Sequence, residues 1–146
     1  MKLVRYGAAG NEKPGLIDGG GKLRDLSDHI DDINGAALGP DAIARLKVID
    51  PTALPELDPD TRLGCPVGTV RTFLAIGLNY ADHAEEAGLR IPREPVIFNK
   101  VSTCICGPDD DVMMPRDCQK LDWEVELAFV IGKRARYVPE ANAMDY

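Results

Sequence analysis

The sequence predicts an α+β fold in two parts, on three observations. Residues 2–49 hold short period-two runs, a glycine turn and then a capped helix. Four prolines break residues 51–69. From Val70 onward the apolar runs are mostly strand-like, with short helices between them. A boundary near Gly68 follows: a small N-terminal domain with its Pro-rich connector over residues 1–68, and the first part of a second domain over residues 69–146.

Residues 2–6 alternate as a strand, and residues 14–18 make a second. Asp18-Gly19-Gly20-Gly21-Lys22 turns the chain into Leu23-Arg24-Asp25-Leu26, which predicts a hairpin. Ser27 or Asp28 can cap a short helix through Ile33. Gly39-Pro40-Asp41 opens a better helix, with Pro40 in the first turn, where its missing N–H is not needed. Ile43, Leu46, Val48 and Ile49 are its apolar set. Pro51, Pro55, Pro59 and Pro66 then give an extended connector.

Residues 70–76 read as a strand ending at Gly77, and Asn79-Tyr80-Ala81-Asp82 starts a short helix through Ala87 that Gly88 ends. Residues 89–95 are a polar loop and residues 95–101 a strand. Residues 107–111 turn. Residues 121–131 are the longest predicted strand, with Trp123, Val125, Leu127 and Phe129 on a packed face, and Pro139 opens a final helix.

Composition excludes several partners. Of 146 residues, 45% are hydrophobic and 28% charged, which fits a folded globular chain. The net charge of −7, with no basic stripe and no interleaved aromatics, excludes nucleic acid as a natural partner. No apolar run approaches the roughly 20 residues of a membrane span, and Met1-Lys2-Leu3-Val4-Arg5-Tyr6 is too polar for a signal-peptide core; the expected location is cytoplasmic. Cys65, Cys104, Cys106 and Cys118 are expected as free thiols, since Cys104-Ile105-Cys106 lacks the spacing of a zinc or redox pair.

Two constellations carry chemistry. In Gly77-Leu78-Asn79-Tyr80-Ala81-Asp82-His83-Ala84-Glu85-Glu86, His83 and Glu86 are three apart and share a helix face. A carboxylate beside an imidazole fixes its tautomer and supports it as a general base toward water; the alternative is a solvated helix face. On a strand, Asp122, Glu124 and Glu126 of Leu121-Asp122-Trp123-Glu124-Val125-Glu126 point to one side at roughly 7 Å intervals. Such clustered anions either neutralise a cation such as Mg²⁺ or line the solvent side of an edge strand, and the residues alone leave both open. Arg71, Arg90, Arg93 and Lys100 are candidate anion handles or plain surface charges.

Taken together, the order Gly-Leu-Asn-Tyr-Ala-Asp-His-Ala-Glu-Glu, Pro-Val-Ile-Phe-Asn-Lys, Cys-Gly-Pro and Asp-Trp-Glu-Val-Glu-Leu-Ala-Phe-Val-Ile-Gly-Lys resembles the fumarylacetoacetate hydrolase family over about residues 70–146. Lys2-Leu3-Val4-Arg5-Tyr6-Gly7 and the hairpin resemble the small N-terminal domain of its bacterial members. The resemblance implies the start of a mixed β-sheet roll, usually dimeric, so that the full-length form is expected as a homodimer. It implies His83 and Glu86 as a water-activating catalytic dyad, and Glu124 and Glu126 as two carboxylate ligands for Mg²⁺, with Mn²⁺ or Ca²⁺ as substitutes. It places a lid over residues 85–95 and leaves Lys100 as a candidate substrate-binding residue. Family members continue through a third metal carboxylate and a catalytic lysine, so the chain is expected to be incomplete and inactive alone.

The activity so implied is metal-dependent hydrolysis of a C–C bond in a β-diketo acid or acylpyruvate, a diketo-deoxy sugar acid being one example. Decarboxylation or isomerisation of oxo-diacids on the same metal-bound enolate is the alternative, as is a non-catalytic fragment.

Overall fold

The structure, a computed structural model, describes all 146 residues, Met1–Tyr146. They divide into two compact units, residues 1–68 with 106–146 and residues 69–105.

In the first unit, strands β1 (Lys2–Tyr6), β2 (Lys13–Ile17) and β3 (Leu23–Asp25) form an antiparallel meander, and β4 (Leu63–Gly64) pairs with the free side of β1, giving the order β3-β2-β1-β4. The β2–β3 turn is built on Asp18. Its Oδ1 accepts the amides of Gly20 (2.8 Å) and Lys22 (3.0 Å), and Gly21 takes the left-handed φ of 83° that only glycine adopts cheaply. Gly15 has a different reason: a Cβ there would lie 2.9 Å from both the Arg24 carbonyl oxygen and Tyr6 Cδ1. The β1–β2–β3 ladder can close this tightly only over a residue without a side chain.

The core of this unit is Leu16, Leu26 and Leu54, with Leu3, Ile30 and Ile49 packed around them. Helix α1 (Pro40–Lys47) starts at Gly39 with Pro40 in its first turn, as the sequence predicts, and buries Ala42 and Leu46, one turn apart. Val48, expected among its apolar set, is 85% exposed at the C-cap.

Three expectations fail. Residues 27–33 form turns, not a helix. Ser27 gives its amide and hydroxyl to Asp25 Oδ1, and the amides of His29 and Ile30 both end on the Leu26 carbonyl. Asp32, which would lie inside such a helix, is drawn to Arg5 (Nε–Oδ1 2.6 Å). A segment this short gains too little from its own hydrogen bonds to resist those contacts. The connector over residues 51–69 is not wholly extended: Asp50 caps a 3-10 turn at Pro51–Ala53, and β4 follows. The third failure is the largest. No residue between 121 and 131 belongs to a strand, and Trp123, Val125 and Phe129, expected to be packed, are 79–81% exposed. Alternation sets which side chains share a face, but a strand exists only against another strand, and here none runs beside it. The helix expected after Pro139 is a 3-10 segment, Glu140–Asp145.

The second unit is a β-α-β piece. Strand β5 (Phe73–Gly77) pairs antiparallel with β6 (Val96–Lys100), in a register from Phe73↔Lys100 to Gly77↔Val96. Helix α2 (Ala81–Glu86) lies between them in sequence and ends at Gly88, whose φ of 66° is left-handed. Small antiparallel sheets with separate short helices make the protein α+β, the class read from the sequence. No helix is long and apolar enough to cross a membrane.

Candidate functional site

The chemistry-bearing helix α2 leaves β5 through Leu78, which holds a φ of 53°. A leucine in the left-handed region costs on the order of 1 kcal/mol, and it begins the three-residue turn that leads from β5 to the N-cap Tyr80 of α2. Asp82 sits in the first helical turn, where it accepts the His83 amide at 2.9 Å and meets the positive end of the short dipole.

His83 and Glu86, at i and i+3, come together as the helical spacing predicts. Nδ1 of His83 lies 3.8 Å from Oε2 of Glu86. At that distance the two form an ion pair when the imidazole is protonated, not a hydrogen bond. Both are open to water, with side chains 53% and 85% exposed. Lys100 ends β6, opposite Phe73, and its Nζ lies 5.3 Å from the Phe98 ring centroid.

Glu124 and Glu126 lie in the first unit, on the exposed, strandless stretch of residues 121–131. No three His, Cys, Asp or Glu side chains converge where they could hold a metal ion. Mg²⁺ is commonly held by one or two carboxylates with water completing its shell, so Glu124 and Glu126 remain a candidate pair. The four cysteines are free thiols, as expected.

The densest electrostatics are elsewhere and were not foreseen. In the first unit Arg62 binds Asp110 (Nε–Oδ1 2.7 Å), Glu12 (3.2 Å) and the Gly7 carbonyl (2.9 Å), and Arg5 binds Asp32 and, at 3.5 Å, Glu12. The Arg62 side chain holds Asp110 below the usual carboxylate range, helped by the Gly107 amide. Backbone hydrogen bonding at Glu12 itself lowers that carboxyl most, and Arg62 adds to it against the opposing effect of burial. Asp110 and Glu12 in turn hold the Arg62 guanidinium firmly protonated. Asp18 is lowered first by the Lys22 amide and then by Arg24, whose Nε lies 2.8 Å away. Burial pushes the Tyr6 phenol up to about 12, with the neighbouring Asp25 carboxylate adding to it. These groups tie β1, β3, β4 and the 107–110 turn together. Every cation has a carboxylate within reach, so the network serves as a structural fastening. Its one signal in the sequence was the placement of Arg5 and Arg24 inside strands, where a half-buried guanidinium must be paired.

Comparison with known proteins gives the chain's relatives. Residues 72–146 match the family model described as fumarylacetoacetate (FAA) hydrolase C-terminal. Over all 146 residues the chain is 52% identical to a "Putative hydrolase" of Burkholderia ambifaria strain MC40-6 and 51% identical to one of Burkholderia cenocepacia strain HI2424, in each case covering 52% of the relative. The chain thus spans about half the length of the curated relatives it matches. A crystal structure described as a "putative HpcE protein" from Mycobacterium smegmatis superposes with a TM-score of 0.58 at 27% identity, over 80% of this chain and 41% of that one.

Proposed function

The chain belongs to the fumarylacetoacetate hydrolase family, and from that membership we propose that it supplies the water-activating part of a hydrolase that cleaves a C–C bond in a β-diketo acid or acylpyruvate. The observation that carries the reading is the placement of His83 and Glu86 on one face of α2, 3.8 Å apart, inside the matched residues. His83, oriented by Glu86, takes a proton from water as the oxygen adds to the distal carbonyl carbon. The adduct then breaks its C–C bond, the distal acyl carbon leaving as a carboxylic acid and the electron pair passing to the neighbouring carbon as an enolate. The imidazolium returns its proton to that carbon. Lys100 at the end of β6 is the candidate cation for the substrate's carboxylate.

Glu124 and Glu126 are proposed as two of the carboxylates for Mg²⁺, with the other donors supplied by polypeptide beyond these 146 residues. The proton transfers above rest on His83 and Glu86 alone. The exposure of both dyad side chains and the lack of any three-donor cluster favour a companion reading: the 146-residue chain does not turn over by itself.

The test joins residues 1–146 to the part of the Burkholderia ambifaria relative that this chain does not span and assays the chimera with Mg²⁺ against acylpyruvates, β-diketo acids and oxaloacetate, beside the 146-residue chain. The proposal expects a carboxylic acid and a ketone from the diketo acids, only from the chimera. Release of CO₂ from oxaloacetate with no diketo-acid cleavage would make the protein a decarboxylase instead.

A further inference from the structure

Asn34 and Gly35 open the turn that leads from the buried Ile33 toward helix α1. The chain has five asparagines, Asn11, Asn34, Asn79, Asn99 and Asn142, and of these Asn34 alone is followed by glycine. A glycine amide can reach the side-chain carbonyl of the residue before it, because no Cβ stands in the way. Gly35 and Ala36 are exposed, and a Cβ built on Gly35 would meet nothing within 4 Å. We propose that Asn34–Gly35 is a self-modification site, where water converts the Asn34 side chain to aspartate and isoaspartate through a succinimide.

The turn supplies both reacting groups. The nucleophile is the Gly35 amide nitrogen, whose N–H donates to no acceptor, so hydroxide can take its proton. The electrophile is Cγ of Asn34. Its Oδ1 accepts the Ala36 amide at 2.9 Å, which draws electrons from Cγ and stabilises the oxyanion formed on attack. That hydrogen bond closes an Asx turn, a ring in which Cγ and the Gly35 nitrogen are both members. The bond from the Gly35 nitrogen to Cγ forms, the Cγ–Nδ2 bond breaks, and ammonia leaves after taking a proton from water. Water then opens the succinimide. Breaking the new nitrogen–Cγ bond gives aspartate, and breaking the original peptide bond gives isoaspartate, with the chain rerouted through the side chain. One water enters and one ammonia leaves.

Asp18–Gly19 has the same spacing and is protected. The Asp18 carboxylate accepts the Gly20 and Lys22 amides and pairs with Arg24 at 2.8 Å. The Lys22 amide and then Arg24 hold it ionised, and an ionised carboxylate resists attack. At Asn34 the two products differ in effect. The Asn34 carbonyl accepts the Ala37 amide at 3.0 Å and the Leu38 amide at 3.1 Å, and Ile33 and Ala37 are both buried. Aspartate keeps this turn and still accepts the Ala36 amide, adding one negative charge. Isoaspartate lengthens the main chain between residues 34 and 35 by a methylene, so the turn and the two buried side chains no longer fit together. The inference concerns the first unit and does not rest on the function proposed above.

The experiment incubates the folded 146-residue chain at pH 7 and pH 8, then maps its tryptic fragments by mass spectrometry, beside the variants Gly35→Ala and Asn34→Asp. Cleavage after Arg24 and Arg45 leaves Asn34 as the sole asparagine of its fragment. That fragment should turn from amide to acid faster than those of the other asparagines, and about 10-fold faster at pH 8 than at pH 7, as the deprotonated amide does. Part of the acid should be isoaspartate, detected by isoaspartyl methyltransferase. Gly35 is not in the left-handed region, so Gly35→Ala should fold normally and convert at least about 10-fold more slowly. The isoaspartate form, separated by chromatography, should have an unfolding constant at least about 10-fold larger than Asn34→Asp, as the loss of a cap and a hydrogen bond implies. Conversion at Asn34 no faster than at the other asparagines would overturn the proposal. So would an equal rate in Gly35→Ala, conversion in the urea-unfolded chain but not in the folded one, or equal stability of the isoaspartate form and Asn34→Asp.

Discussion

Replacing Leu26 with alanine should cost the first unit about 3–5 kcal/mol, the upper part of the range for leucine truncation in a core. The structure sets the size. Leu26 has no exposed surface and sits among Leu16 and Leu54, with Leu3, Ile30 and Ile49 behind them. What decides between the low and high ends is whether the surroundings can collapse into the space. Here they are held: the Leu26 amide donates to the Pro14 carbonyl at 3.0 Å, and its own carbonyl accepts from His29 (2.9 Å) and Ile30 (3.2 Å). Leu16 is fixed in the central strand β2, and the Leu54 carbonyl accepts from Arg24 at 3.3 Å. A cavity walled by anchored backbone stays open, and the cost grows with the volume left behind. A domain has only about 5–15 kcal/mol in total, so the variant should be near the edge of folding. Urea titration followed by far-UV circular dichroism reads the difference, with Val48→Ala, 85% exposed, as a control expected within about 0.5 kcal/mol of the natural chain. A Leu26→Ala cost below about 1 kcal/mol would show that this cluster is not the core.

Tyr6→Phe should remove an alkaline weakness. The phenol's folded value of about 12 exceeds its ordinary 10.0, so the neutral form stabilises the fold below pH 10 and that stability is lost as pH rises toward 12. Between pH 9 and pH 11 the natural chain should lose on the order of 1 kcal/mol more than Tyr6→Phe, and equal losses would refute the assignment. Glu12, Asp18 and Asp110 have lowered values, so their contribution is present above the ordinary carboxylate range and fades as pH falls through it. In the full-length chimera, Glu124→Gln and Glu126→Gln should each weaken Mg²⁺ binding by 10-fold or more in a calorimetric titration, while Glu85→Gln should not. Metal binding equal in all three would leave the carboxylates as a solvated face.

What could be read from the sequence was local. The 18–22 turn announced itself because Asp18 and three glycines can do little else, and β1, β2, β3, α1, α2 and β6 each carried their own period or cap. The i,i+3 spacing of His83 and Glu86 needed only a helix, and α2 provides one. The misses all depend on distant partners. Leu63–Gly64 has no strand signal and is a strand because Arg5 and Tyr6 lie beside it. Arg62 reads as a surface charge until Asp110, 48 residues away, is folded against it. Residues 27–33 lost their helix to Arg5, which takes Asp32 from across the sheet. Residues 121–131 show the converse: a strong period-two pattern whose partner strand is not supplied within the described sheets.

The most direct measurement is the rate of the chimera carrying His83→Ala on an acylpyruvate, taken together with its Mg²⁺ affinity. Loss of a general base lowers kcat by about 10²–10⁴-fold, and because His83 stands with Glu86 rather than in any cluster of metal donors, the affinity for Mg²⁺ should be unchanged. A kcat within a few-fold of the unsubstituted chimera would contradict the role given to His83, and a collapse of metal affinity along with the rate would make it a ligand instead of the base.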